Sequence, residues 1–378
     1  MKIRTITLGF NGTFPLDPKI LLHHSEILEQ ARAVFEQAGY EVQTIRFASQ
    51  PWEYYIDEGN KLSHMVSLYD EFCSTSDVEY INIGTTANPE RIPDLFEVNH
   101  QSQHLFSSAL CASNDVINHK ACLESAKLIK QLTPLETEGF ANLRFAAIFN
   151  LKPNCPFFPA AYHDGKIGLG IGTENSDLVY TCFEKTNGIT TAEIDLKKCL
   201  NKEFIELEKI AENFCKEHKI RYYGIDPSIC TSIQPKESIA FAFEHLGFGK
   251  FGDPGTLAIA QIVTSAIRSL KIKTCGYKGL MLPLLEDYGL AQRNNEGQFD
   301  IYDLLIYSSV CGTGLDTIPL PGDVTIEKLN ALLIDIASLS CKLSKPLSAR
   351  LMPIPGKHAE DMTDFDFPYF VNSKIMNI

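Results

Sequence analysis

The sequence predicts an α/β fold built as one large unit. Short segments rich in Ile, Val, Phe and Tyr alternate with longer segments of helical period, the pattern of βα units and not of an all-β sandwich. No Pro/Ser/Gly-rich stretch or charge block long enough to be a linker interrupts the alternation, and no period of 20 to 50 residues repeats. With 378 residues, 44% of them hydrophobic, the chain is long enough to bury a substantial core.

In chain order, strands are expected at 3–9, 41–47, 79–84, 143–151, 166–172, 222–225, 279–283, 314–318 and 349–352. The clearest helix is 18–38, with Asp17 as N-cap, Pro18 in the first turn and Gly39 at the end. Further helices are expected at 89–112, 115–132, 175–185, 196–218, 255–270 and 325–343. From residue 353 onward, Pro355, Gly356, Pro368 and many acids read as an extended tail, 353–378.

Counting 34 Lys+Arg against 47 Asp+Glu gives a net charge of -13, which repels polyanions and excludes nucleic acid as a partner. Eleven cysteines occur, none closer than Cys111 to Cys122, so there is no CxxC redox or zinc-finger pair, and a reducing cytoplasm is the expected location. The apolar start at 6–10 is too short for a signal-peptide core, and no run approaches the ~18 apolar residues of a membrane span, so no membrane partner is expected. The expected partner is a small molecule, with assembly into a homo-oligomer left open.

Several segments carry residues suited to chemistry. The loop Pro153-Asn-Cys-Pro-Phe-Phe-Pro-Ala-Ala-Tyr-His163 holds three prolines that stiffen the delivery of Tyr162 and His163, as proton carrier and substrate contact or as a plain structural corner. Glu174 closes a strand, where α/β proteins place their sites, or simply favours the following helix start. The glycine loop 247–256 suits a carboxylate or single phosphate at a helix start, or an ordinary turn. Glu286 and Asp287 follow a buried-strand pattern as adjacent carboxylates, fit for acid/base work or a hard metal, or for a helix start. Lys278 lies on the same segment. Cys311 enters a Gly-x-Gly turn that lets backbone approach a substrate and offers N–H groups to an oxyanion, although inert burial is the ordinary state of a cysteine. Glu97, His100 and His104 fall on one face of the expected helix 89–112 as weak zinc candidates, without the glutamate of an HExxH motif.

The opening Met-Lys-Ile-Arg-Thr-Ile-Thr, the Pro-Phe-Phe-Pro-Ala-Ala-Tyr-His loop, Gly-Leu-Met-Leu-Pro-Leu-Leu-Glu-Asp and Cys-Gly-Thr-Gly-Leu-Asp-Thr-Ile-Pro-Leu-Pro-Gly-Asp together resemble the domain of unknown function 711 family. That resemblance implies a single ten-stranded α/β barrel over 1–378, similar to pyruvate formate-lyase-like glycyl radical enzymes, with its site inside. Radical members carry a glycine in an Arg-Val-x-Gly-aromatic setting near the C-terminus. Here the only glycine after Gly322 is Gly356, in Pro-Gly-Lys, so a resident glycyl radical is not expected. The expectation is a non-radical enzyme acting on a small anionic or acyl-bearing metabolite. In it Cys311 is nucleophile or acid, Glu286 and Asp287 base or metal ligands, His163 a proton shuttle and Arg350 a carboxylate clamp. Asp316 and Asp323 are further ligands if a divalent metal such as Mg or Ca is the cofactor. The alternatives are a metabolite-sensing protein without turnover, or a metal-dependent enzyme with a structural cysteine.

Overall fold

The computed structural model describes residues 1–56, 61–310 and 312–378, so Cys311 lies outside the described residues. The chain is an α/β protein whose strands are β1 (Lys2–Phe10), β2 (Ile45–Ser49), β3 (Tyr80–Thr86), β4 (Leu105–Ser113), β5 (Val116–Ile117), β6 (Phe145–Phe149), β7 (Gly168–Glu174), β8 (Arg221–Cys230), β9 (Gly314–Pro321) and β10 (Leu347–Ile354). They form one mixed sheet in the order β8-β7-β1-β2-β3-β4-β6-β10-β9, with β5 paired to β4. From β1 through β2, β3 and β4 to β6 the pairing is parallel. The parallel pairs β7/β8 and β9/β10 join that central set antiparallel at its two sides. The ladder is not closed by hydrogen bonds between its ends. The segment 274–283, where a strand was expected over 279–283, instead makes isolated bridges, Ile229 to Leu280 on β8 and Pro283 to Asp316 on β9.

Helices α1 (Pro18–Gln37), α2 (Lys61–Thr75), α3 (Leu95–Gln101), α4 (His119–Leu132), α5 (Ser176–Lys185), α6 (Ile189–Glu217), α7 (Ile239–Glu244), α8 (Thr256–Arg268), α9 (Tyr288–Asn295), α10 (Ile301–Val310) and α11 (Ile326–Leu343) connect the strands. The signals at α1 operate as read: the Asp17 carboxylate accepts from the Lys19 N–H at 3.0 Å, and Gly39 takes φ +93° just past the end. Parallel strands covered on both faces are buried along most of their length, as β1, β3 and β6 are, but only β6 is apolar throughout: β1 and β3 bury polar residues such as Thr5, Thr7 and Asn82.

The expected helix 89–112 is not one helix. A 3-10 turn over Pro89–Asp94 leads into α3, and Ser102 then turns extended and accepts from the N–H groups of His104 and Leu105 at 3.0 and 3.2 Å. The rest of the segment is β4, buried on both faces, and an unalternating apolar run of that kind has no period to tell strand from helix. His104 therefore leaves the helix face of Glu97 and His100. The expected helix 115–132 likewise opens with a hairpin: Asn114 and Asp115 take φ +50° and +59°, pair β5 with β4, and Asn118 caps α4 through the Ala121 N–H at 3.0 Å. Helices α2, α7, α9 and α10 were not foreseen.

After β10 the chain adds no further strand. Phe365, Phe370 and Ile375 pack on Leu143, Leu285, Met352 and Ile354, and the Val371 N–H donates to the Leu285 carbonyl at 2.8 Å. This tail covers one side of the cavity described next.

Candidate functional site

A cavity of about 280 Å³ lies against the strands, and three arginines from different elements reach it: Arg4 of β1, Arg46 of β2 and Arg350 of β10. Its apolar wall comes from the Pro-rich loop, the sheet and the tail, through Phe106, Phe157, Phe158, Phe367 and Phe370. The loop is brought down by His163, whose N–H donates to the Ser49 carbonyl at 2.9 Å and whose ring sits against Gly9, where a Cβ would lie only 2.2 Å from Nδ1. Phe158 thereby meets Phe106 at 5.3 Å between ring centroids.

The acids and two of the arginines form an alternating chain. Arg4 donates from Nη1 to Glu174 Oε2 at 2.9 Å and from Nη2 to Glu286 Oε2 at 3.1 Å. Arg350 donates from Nη2 to Glu286 Oε1 and from Nε to Asp316 Oδ1, each at 2.6 Å. Glu286 is thus held on both oxygens by guanidinium groups, a charge-assisted arrangement that fixes its position. Burial alone would lower both arginines, but electrostatic attraction outweighs it, from Cys230, Glu286 and Glu174 for Arg4 and from Asp316 and Glu286 for Arg350. Both guanidinium groups are held above their ordinary value.

Arg46 differs. Its guanidinium lies 5.4 Å from the Tyr80 ring centroid and 5.0 Å from that of Phe158, and no carboxylate is within ion-pair distance of it among the described residues. Its Nε is buried without a hydrogen-bond partner. Burial and then repulsion from Arg4, only partly offset by Tyr80, Glu79 and Glu286, push it down to about 10. Two further orphan polar atoms border the same cavity, Gln43 Oε1 and Thr313 Oγ1. Buried polar groups are almost always hydrogen-bonded, so these three atoms present unpaired hydrogen-bonding capacity to the same hollow. Cys230 also lines the cavity, and burial pushes its thiol up to about 12.

The residues singled out from the sequence divide. Glu286, Arg350, Asp316 and Glu174 come together in the ion chain. Asp287 does not join them: it accepts from the Ser238 hydroxyl and from the N–H groups of Ile239 and Leu290 at 2.7, 2.7 and 2.9 Å, holding the starts of α7 and α9. His163 is buried, with Nδ1 3.0 Å from Asn154 Oδ1 and Nε2 3.2 Å from the Gly165 carbonyl, and burial lowers its pKa. Tyr162 donates to the Leu151 carbonyl at 2.8 Å and borders two smaller hollows. Lys278 borders a different cavity, and Asp323 is exposed, 3.5 Å from His358 Nδ1. Among the described residues, no group of three or more His, Cys, Asp or Glu side chains is placed to hold a metal ion, and no helix is long and apolar enough to cross a membrane. Arg4, Gln43, Arg46, Cys230 and Thr313 escaped the sequence reading. The available signal was a cation set inside each of two expected strands of an acidic chain, Arg4 and Arg46.

Comparison with known proteins places the chain among uncharacterised relatives. It is 25% identical over 404 residues to a UPF0210 protein of Pyrobaculum arsenaticum, covering 96% of this chain and 87% of that protein. It is 23% identical over 398 residues to a UPF0210 protein of Ruminiclostridium cellulolyticum, covering 97% and 88%. A UPF0210 protein of Methanopyrus kandleri is 22% identical over 396 residues, covering 96% and 88%. The family pattern described as Uncharacterised ACR (DUF711) matches residues 1–366, and the chain belongs to that family.

Proposed function

We propose that the protein takes a small organic anion, a carboxylate or acyl-bearing metabolite, into the cavity bordered by Arg46 and acts on it without a resident glycyl radical. The observation that carries this reading is Arg46, a cation with an orphaned Nε and no carboxylate partner among the described residues. A carboxylate seated on Arg46 offers an acceptor to Nε, while the phenylalanine wall holds an apolar or acyl portion away from water. Glu286, next to that ligand, exchanges a proton only after one of its two guanidinium partners swings to the substrate. Arg350 is then the group that follows the transferred charge. The thiol role of Cys311 rests on its Cys-Gly-Thr-Gly setting, two residues before the cavity-lining Thr313.

We also read the sheet as the wall of a ten-stranded barrel of the pyruvate formate-lyase-like kind. The bridges of 274–283 toward both sheet ends support this. Gly356 supports the non-radical reading: it sits in an exposed turn after β10 with open space around it, not beside the cavity.

One observation favours a second reading, metabolite sensing without turnover: both oxygens of Glu286 are already held by guanidinium groups, so that carboxylate is not an idle base. Calorimetric titration with propionate and benzoate, against propionamide and benzamide, tests the anion reading. Saturable binding of the acids alone, lost in Arg46→Met, is expected, and equal binding of acid and amide overturns it. Proton NMR of the bound acid over time then separates turnover from sensing.

A further inference from the structure

A second hollow, of about 360 Å³, lies on the other side of Tyr277, which borders both cavities. Three cations border it, Arg268 at the end of α8, Lys278, and Lys345 just after α11, and among the described residues no carboxylate lines it. In a chain of net charge -13 that local balance is opposite to the whole. Lys345 is buried, and its ammonium donates to the Ser308 carbonyl at 2.6 Å, so its charge is fixed at the floor. Arg268 and Lys278 are exposed, and neither side chain has a hydrogen-bond or ion-pair partner among the described residues. Thr264 also borders the hollow; the residue is 1% exposed, and its hydroxyl has no hydrogen-bond partner among the described residues.

The position of Lys278 is built, not incidental. It takes φ +57°, a region that side-chain-bearing residues rarely occupy, because buried Asp226 accepts the N–H groups of Tyr277 and Lys278 at 2.7 and 3.1 Å. Gly276 completes the pin, since a Cβ there would lie 2.0 Å from Asp226 Oδ2. The neighbouring acids are already committed: Asp226 to these amides, and Asp115 to the Ser344 hydroxyl at 2.7 Å.

We propose that this hollow is a binding site for a phosphate-type oxyanion, held by Arg268 and Lys278 over the Thr264 hydroxyl, with Lys345 beneath. A tetrahedral oxyanion has enough acceptor oxygens to serve three separate donors at once, and a guanidinium beside an ammonium suits it. Free phosphate and a phosphate carried on a small organic molecule share this chemistry. The site is independent of the Arg46 cavity and does not depend on the function proposed for it.

The test is calorimetric titration of the full chain at constant ionic strength with inorganic phosphate, pyrophosphate and glycerol phosphate, using sodium chloride as the reference. Saturable 1:1 binding is expected. It should weaken about tenfold in Arg268→Gln and about tenfold in Lys278→Asn, the loss of one charge-assisted hydrogen bond each. Asn tolerates positive φ, so Lys278→Asn keeps the loop, and circular dichroism verifies both variants. Tighter binding of glycerol phosphate than of inorganic phosphate assigns the site to a phosphorylated metabolite, and the reverse assigns it to the free ion. Absence of saturable binding, or binding unchanged in both variants, overturns the proposal.

Discussion

Replacing Arg46 by Met should make the empty protein more stable while it removes anion binding. The cation is half-buried with no carboxylate partner among the described residues, and burial lowers its folded-state pKa to about 10, well below the ordinary guanidinium value. At about 1.4 kcal/mol per pKa unit, the folded state disfavours the charge by about 3 kcal/mol at most. Partial contact with solvent reduces that to about 2 kcal/mol. Loss of the cation–π contacts with Tyr80 and Phe158 costs about 1 kcal/mol, of which a thioether against the same rings returns a part. A net gain of about 1–2 kcal/mol remains, roughly a 1–3 °C rise in Tm for a chain of this size. The sign with pH is defined. A base whose folded pKa is lowered carries its full cost below about pH 10, and stability returns as pH rises above about 10, where the unfolded chain still holds the proton and the folded one does not. The gain in Arg46→Met is therefore constant from pH 7 to 9. Differential scanning calorimetry with and without propionate measures both halves. A lower Tm in the folded variant, or carboxylate binding that survives the substitution, refutes the reasoning.

Glu286→Gln should destabilise the fold by about 3 kcal/mol, because Arg4 and Arg350 each lose a charge partner in a largely buried setting, and urea unfolding midpoints check it. Asp287 should give stability a falling slope between about pH 4 and 6. Burial raises its carboxyl to about 6, so over that range the folded state binds the proton that the unfolded state has released, and stability drops as pH rises. Equilibrium unfolding at stepped pH should show the slope in the native chain and not in Asp287→Asn. Brief alkylation at pH 7 followed by mass spectrometry should label Cys311 before Cys230, whose thiol burial pushes up to about 12, and faster labelling of Cys230 would remove the thiol argument.

Local chemistry fixed much of the scaffold in advance. Asp17, Pro18 and Gly39 delimit α1 because caps and fixed φ values act within a turn of the chain. The alternation of apolar strands with amphipathic helices gave the α/β class because that pattern is how each element buries its own face. Segments buried on all sides were not legible in the same way. The run over β4 carries no period, so only its pairing with β3 and β6 makes it a strand. The site shows the same division. Glu286, Arg350, Asp316 and Glu174 were recognisable as chemical groups, but their alternating chain exists only because the fold brings β1, β7, β9 and β10 together with the 284–286 turn. Glu286 and Asp287 are neighbours in sequence and part in space, since the backbone turns from a 3-10 end to φ -128°, ψ 124° and sends the second carboxylate to the helix starts. That Arg46 has no carboxylate within ion-pair distance among the described residues depends on where the folded sheet leaves Glu79 and Glu286, which act on it only from farther off. Adjacency along the chain carries no information about it, and only the packed tertiary structure decided it.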